Sequence, residues 1–418
     1  MKKIRRVLAL FVAVAMVAAS IGCSKEITAE DLMVNVETSN VSEVYLDDSF
    51  CEKYSAAAFK MLQNEYSSKS TKVVLSPLAV YYNCAMLANG ATGKTKNDIQ
   101  GMFGRDFMTG FLNANMHSFN ENLKDSDKSK LYFENALWFN SDKNITPSQT
   151  FLSTVKTNYD IDAYRESFSK DAVKNINNWA SNKTNMYSER ILKEFKSDAP
   201  LYLVNTTLIE ADWEAPISPA DTFDGKFKSL SGEEQSVQMM SSMEKLYVMD
   251  ENVVGFIKKY SGNNYAFVAL IPANERDTSL DNLIPYLASD KTYFTLMKKR
   301  KDFLTIDASI PKFSCEFTGE VNQLIEKANL GELLNSEFAN FDDVGTCDGK
   351  IYLGGLALST GLNVTEGGTK RGTGANVGNA PAGVNMIPIN LNRPFVFAVV
   401  DTKRFLPVIV GAINSVKD

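Results

Sequence analysis

The sequence predicts an α+β protein, with helices segregated from a large mixed sheet. Three observations carry that reading. Apolar residues recur at helical spacing in several stretches up to residue 181. From residue 200 onward, continuous or strictly alternating apolar runs dominate. Two more such runs close the chain. Period 3.6 marks an amphipathic helix, whereas period 2 or a short continuous run marks a strand.

Residues 24–45 are polar and acidic and read as a linker. Residues 55–62 set Ala56, Phe59 and Leu62 on one helical face. Ser76-Pro77 opens a second helix, since Pro in the first turn lacks an N–H that would have no partner there anyway. That helix carries Leu78, Tyr81, Tyr82, Ala85 and Met86 and stops at Asn89-Gly90. Residues 95–124 and 147–181 also read as helical. Residues 201–209 and 265–271 are nearly unbroken apolar runs, as expected of central strands. Leu304, Ile306, Ala308 and Ile310 alternate, which marks a strand with one buried face. Residues 395–400 and 406–413 read as two further strands.

The composition narrows the function. With 418 residues, 44% hydrophobic and 22% charged, the chain can bury a large core without metals or disulfides. Its net charge of −6 leaves no basic surplus for a nucleic-acid partner. A single His excludes zinc sites that need two, H-E-x-x-H included. A Ser-His-Asp or Cys-His hydrolase would have to use His117, which lies in a polar helical stretch and reads as a surface residue. No G-x-S-x-G elbow is present. Gly372 to Gly378 almost makes G-x-G-x-x-G, but Val377 stands where the third Gly belongs, and Asn379 to Pro381 cannot open the required helix. Asp342-Asp343 and Glu233-Glu234 read as solvated surface pairs. Cys51, Cys84, Cys315 and Cys347 match no C-x-x-C spacing and read as free thiols.

The N-terminus has the pattern of an export signal. Lys2, Lys3, Arg5 and Arg6 precede a 13-residue apolar run over 7–19, shorter than the roughly 20 residues of a membrane span. Ser20-Ile21-Gly22-Cys23 resembles a bacterial lipobox, with Ser20 where Leu is usual. The resemblance implies cleavage before Cys23 and lipid on its thiol; several acyl chains, at about 0.8 kcal/mol per buried methylene, hold a soluble domain on a membrane. Residues 1–22 carry four positive charges and no negative ones, so the mature chain has a net charge of −10. The expected organisation is a signal over 1–22, a lipidated Cys23 with a polar tether over 23–48, and one folded domain over 49–418. The expected location is the bacterial cell envelope.

From about Ser49 to Val416, Ser76-Pro77-Leu78, Asn135-Ala136-Leu137-Trp138, Ile176-Asn177-Asn178-Trp179, Ile310-Pro311-Lys312-Phe313 and Arg393-Pro394-Phe395 follow one another in an order that resembles the serpins. Ser76-Pro77-Leu78 with Gly90-Ala91-Thr92-Gly93 resembles a serpin helix and its closing turn. Asn135-Ala136-Leu137-Trp138 resembles a central strand of the main sheet. Ile176-Asn177-Asn178-Trp179 resembles the helix crossing that sheet, and Leu203-Val204-Asn205 with Trp213 the next strand. Val237-Gln238-Met239-Met240, Ile310-Pro311-Lys312-Phe313 and Arg393-Pro394-Phe395 follow in order.

The resemblance implies a metastable fold with an exposed reactive loop, about 366–386, and neither catalytic residues nor a cofactor. On cleavage the loop enters the main sheet as a new strand, a known instance of strand addition that releases stored strain. An acyl-linked protease is thereby carried off and distorted before deacylation. The implied partners are a serine, or a cysteine, protease and, through Cys23, a membrane; the chain itself is expected to be a monomer. The hinge reads Glu366, Gly368, Thr369, then Lys370 and Arg371, followed by small residues. The family places small residues where Lys370 and Arg371 stand. Side chains alternate along a strand, so Arg371 shares a face with Thr369, and an unpaired charge is costly to bury. A non-inhibitory serpin acting as a surface binding protein is therefore the alternative.

The resemblance further implies that Glu366 pairs with Lys312 and that Thr369 is the first loop residue to enter the sheet after cleavage. In the sheet-opening region Ser76 keeps a hydroxyl, Ala79 replaces another, and Leu358 stands where the family has a His. Apolar packing beside Trp213 is expected to replace that hydrogen-bonded set. Counting sixteen positions from Glu366 puts the cleaved bond after Ala382, and counting eleven back from Pro394 points to Gly383. Small residues around Ala382 suit an elastase-like pocket rather than the acidic or aromatic-accepting pockets of other serine proteases.

Overall fold

The computed structural model describes residues 24–41, 46–104, 107–123, 125–196, 198–369 and 386–417. Seven strands form the main sheet: β1 (Glu30–Asp31), β2 (Ser129–Asn140), β3 (Asp162–Glu166), β4 (Leu201–Asp212), β5 (Phe313–Glu320), β6 (Leu353–Val364) and β7 (Gly368–Thr369). Their spatial order is β1-β3-β2-β4-β7-β6-β5. β4 runs antiparallel to β2 and parallel to β6, with Leu208 opposite Gly361 and Asn205 opposite Leu358. At one end β7 stands between β4 and β6.

A second, six-stranded sheet runs Lys72–Leu75, Pro407–Ile413, Phe395–Asp401, Tyr265–Pro272, Val253–Lys259 and Leu246–Met249. A third joins Met386–Asn390, Thr305–Pro311, Glu234–Glu244 and Thr222–Lys228. The longer helices are α1 (Asp48–Glu65), α2 (Pro77–Leu87), α3 (Gly93–Phe103), α4 (Thr109–Asn122), α5 (Gln149–Tyr159) and α6 (Lys170–Lys183). The α+β class follows.

The apolar patterns map onto these layers. Tyr265–Pro272 is buried at every position, and so is α2, which is enclosed rather than amphipathic. Ser76 caps α2 by accepting from the Ala79 N–H at 3.0 Å. In Thr305–Pro311, Ile306, Ala308 and Ile310 face the core, while Leu304 lies just outside the strand.

Three expectations need correction. Residues 95–124 form two helices, because Gly104 turns the chain with φ +127, a conformation open to glycine. Residues 147–181 are likewise divided. α5 ends at the left-handed Asp160, and β3 follows, its Tyr164 stacked on Trp138 at 4.6 Å. A strand inside an apparently helical stretch is a case of tertiary pairing overriding local pattern.

The third correction concerns the tether. Residues 24–41 lie packed against the body. β1 pairs with β3, Met33 and Val36 are buried, and the Lys156 ammonium donates to both of their carbonyls. Asn182 and Lys25 exchange hydrogen bonds of 2.8 and 2.7 Å, and Asn178 donates to the Glu26 carbonyl. Asparagines on α6 thus satisfy the backbone of a segment whose composition reads as a linker. β1 also covers the outer edge of β3, which would otherwise expose unpaired backbone groups.

Candidate functional site

The site grows from the way the chain leaves β6. After Val364 it turns sharply: the Thr365 N–H donates to the Gly368 carbonyl at 2.9 Å, and the Thr365 hydroxyl donates to the same oxygen at 2.9 Å. Gly368 has φ +145, and a Cβ there would overlap the Ala211 carbonyl, so only glycine fits. The turn delivers Thr369 between two strands, opposite Ala211 on β4 and Val364 on β6.

The residues that follow β4 hold this hinge. The Trp213 N–H donates to the Gly367 carbonyl and its indole Nε1 to the Thr365 carbonyl, both at 2.9 Å. The Ile217 N–H donates to the Glu366 carbonyl at 3.0 Å. Three successive hinge carbonyls are therefore satisfied from residues 213–217. Tyr260 lies flat against Trp213, with ring centroids 4.4 Å apart and planes 9° apart. Its hydroxyl shares a 2.7 Å hydrogen bond with Thr369 Oγ1. Burial pushes the Tyr260 phenol far up, so it stays neutral.

Glu366 and Lys312 form an ion pair, as expected, and Thr222 Oγ1 donates to the same Glu366 oxygen at 3.3 Å. Burial pushes the Glu366 carboxyl up, but the Lys312 and Thr222 hydrogen bonds more than offset this and hold it below the usual glutamate range. A depressed folded-state pKa gives stability that is present at neutral pH and is lost as pH falls through that value. With Lys312 35% exposed, the pair contributes roughly 1 kcal/mol. Lys312→Ala should thus lower stability by about that amount at pH 7, and the deficit should shrink as pH falls from the ordinary glutamate range through the lowered folded-state value of Glu366. Thermal melts of parent and variant across pH check this.

Thr369 departs from expectation. It is fully buried and already paired in the intact chain, so its entry precedes any cleavage.

The sheet-opening region also differs from expectation. Ser76 Oγ donates to the Val408 carbonyl at 3.0 Å, and Leu358 is buried opposite Asn205. Yet apolar packing has not replaced the polar set. Asn83 Nδ2 and Asn205 Nδ2 both donate to Asn135 Oδ1 at 2.8 Å, and Thr207 Oγ1 donates to Asn205 Oδ1 at 2.7 Å. The signal lay in Asn83, a polar residue in an otherwise apolar helix. Tyr260 carried no comparable signal. Two buried polar atoms in this region, Asn83 Oδ1 and Thr360 Oγ1, lack a partner.

Arg371, Ala382, Gly383 and Cys23 lie outside the described residues. His117 is half-buried on α4. Cys51, Cys84 and Cys315 are buried cysteines outside any disulfide and Cys347 is half-buried; burial pushes the Cys84 thiol up to about 12, far from a reactive thiolate. Among the described residues no helix is long and apolar enough to cross a membrane.

Comparison with known proteins agrees with this geometry. The family model for serpin (serine protease inhibitor) matches residues 52–416. The leukocyte elastase inhibitor of Xenopus tropicalis is 26% identical over 370 residues, covering 84% of this chain and 94% of that protein. The human plasma serine protease inhibitor is 25% identical over 351 residues, covering 80% and 83%. The thermophilic serpin tengpin in its native state superposes with a TM-score of 0.86 at 30% identity, over 93% of this chain and all of that one. The same protein in its latent state gives 0.77. The chain belongs to the serpin family, whose members are generally protease inhibitors rather than catalysts.

Proposed function

We propose that the chain inhibits elastase-like serine endopeptidases as a suicide substrate. It is attacked after Ala382 and traps the acyl-enzyme by drawing residues beyond Thr369 between β4 and β6. The observation that carries this reading is the placement of Thr369, which has begun an antiparallel strand in the slot between two parallel neighbours.

Continuing that register tests the loop residue by residue. Lys370 would meet Glu210 and Asn363, both half-buried, so its ammonium finds a carboxylate. Thr373 would arrive between Thr207 and Thr360, whose Oγ1 is buried without a partner. Ala375 would face Asn205 and Leu358. Arg371 alone fits poorly: Ile209 and Leu362, its flanking residues, are both buried and apolar. That mismatch favours a second reading, a surface binding serpin whose loop is cut without trapping the enzyme. In either reading the protein is exported and anchored through lipid on Cys23, as its N-terminal pattern implies.

Mixing the protein with pancreatic elastase tests the proposal. A covalent complex on a denaturing gel, with a released fragment beginning at Gly383, is expected. A fragment beginning elsewhere, for instance after Lys370 or Arg371, contradicts the assigned bond, and clean cleavage without a complex supports the second reading.

A further inference from the structure

We infer that the buried Lys258–Glu244 ion pair is a positioning device for the hinge, and that Lys258 sets how readily Thr369 leaves the sheet. Lys258 lies on the second-sheet strand Val253–Lys259 and Glu244 on the third-sheet strand Glu234–Glu244. Their side chains are only 3% and 10% exposed. An ion pair this deep needs excellent geometry, since desolvating both charges is expensive.

The geometry meets that demand. The Lys258 ammonium has three N–H groups and three acceptors: Glu244 Oε1 at 2.8 Å, Ser242 Oγ at 2.8 Å and the Ala215 carbonyl at 3.1 Å. Ser242 Oγ in turn donates to Glu244 Oε1 at 2.5 Å. The ammonium also stands 5.3 Å from the centre of the Trp213 ring, within range of a cation–π contact.

Two of these contacts, to Ala215 and to Trp213, lead to the hinge. Ala215 lies inside 213–217, the segment whose N–H groups hold the carbonyls of Thr365, Glu366 and Gly367. Trp213 carries Tyr260 on its face, and Tyr260 holds the Thr369 hydroxyl. The Glu214 N–H donates to the Lys259 carbonyl at 3.0 Å, which fixes the same segment to the strand bearing Lys258. One buried charge therefore ties the second sheet, the third sheet and the exit of β4 together where the loop departs. Without it, the Ala215 carbonyl in the middle of 213–217 loses its side-chain donor, and of the side-chain donors named to this backbone only Ser261 Oγ, which donates to the Trp213 carbonyl at 3.0 Å, is left. The hinge carbonyls then lose the alignment of their donors.

The inference rests on the loop-insertion reading for its consequence in inhibition, but hinge departure can be measured without any inhibited protease. Trypsin can cut after Lys370 or Arg371 only when several residues on either side lie extended in its cleft, so Thr369 has to leave the sheet first. The double variant Lys258→Met, Glu244→Met removes both charges and leaves no orphaned carboxylate, while Lys258→Arg keeps the cation. The double variant should be nicked after Lys370 or Arg371 about tenfold faster than the parent, with Lys258→Arg within about threefold of it, as read by mass spectrometry of time points. Nicking of the double variant at the parental rate, with or without a lower melting temperature, would overturn the inference and reduce the pair to a structural contact. Failure of the elastase experiment alone would remove the inhibitory reading and leave this result standing.

Discussion

Thr369→Arg should turn the protein from a trap into a substrate. The side chain at this position is fully buried between Ala211 and Val364, with its hydroxyl on Tyr260. Thr369 is flanked by Ala211 and Val364, which offer a guanidinium no charge, and the nearby Glu366 is already paired with Lys312. Burying an unpaired charge costs several kcal/mol, so the hinge leaves the sheet and insertion loses its first strand residue. The proposed cleavage site after Ala382 is untouched by the substitution, so cleavage should persist. The fraction of elastase caught as covalent complex should fall at least tenfold, with cleavage retained; densitometry of the two products reads the ratio. The reciprocal variant, Arg371→Ala, removes the mismatch with Ile209 and Leu362 and should raise that fraction.

Trp213→Ala should be the most destabilising single change at the site. It empties a buried indole from beneath the hinge, removes the stack on Tyr260 and leaves the Thr365 carbonyl without its donor. Large-to-small changes of a buried Trp cost about 3–5 kcal/mol. The lost carbonyl partner adds the penalty of an unsatisfied polar group. The melting temperature should fall by more than for any loop variant. A Trp213→Phe variant keeps ring stacking but not the Nε1 donor, and should fall between the parent and Trp213→Ala.

Much of the fold was legible because burial on both faces leaves a direct trace in sequence. Residues 201–209 and 265–271 read as central strands and are central strands, and Ser76-Pro77 reads as a helix start and is one. The misread elements are those whose conformation depends on a distant partner. β3 is strand because it lies between β2 and β1, and residues 24–41 are held by partners distant in sequence: β3, Lys156 on α5 and asparagines on α6. At the site, Glu366–Lys312 was accessible through the family pattern of its two short motifs. The Asn83–Asn135–Asn205 network was not, since its members come from α2, β2 and β4 and no spacing joins them. Nor did any pattern announce that Thr369 would be paired before cleavage. That follows from the tight turn at Gly368 and from Tyr260, which comes directly after the strand Val253–Lys259 and lies 109 residues before Thr369 in sequence but bonds to it in space.

On the function proposed, the slot between β4 and β6 receives the rest of the loop. The most direct test is the melting temperature of the intact protein against that of protein nicked by elastase after Ala382 and freed of enzyme. Insertion would replace the parallel β4–β6 pairing with two antiparallel ladders and would bring a partner to the Thr360 hydroxyl, so the nicked form should melt well above the intact one. A nicked form that melts at or below the intact protein would mean the loop stays outside the sheet, and the account of this chain as a loop-inserting inhibitor would fail.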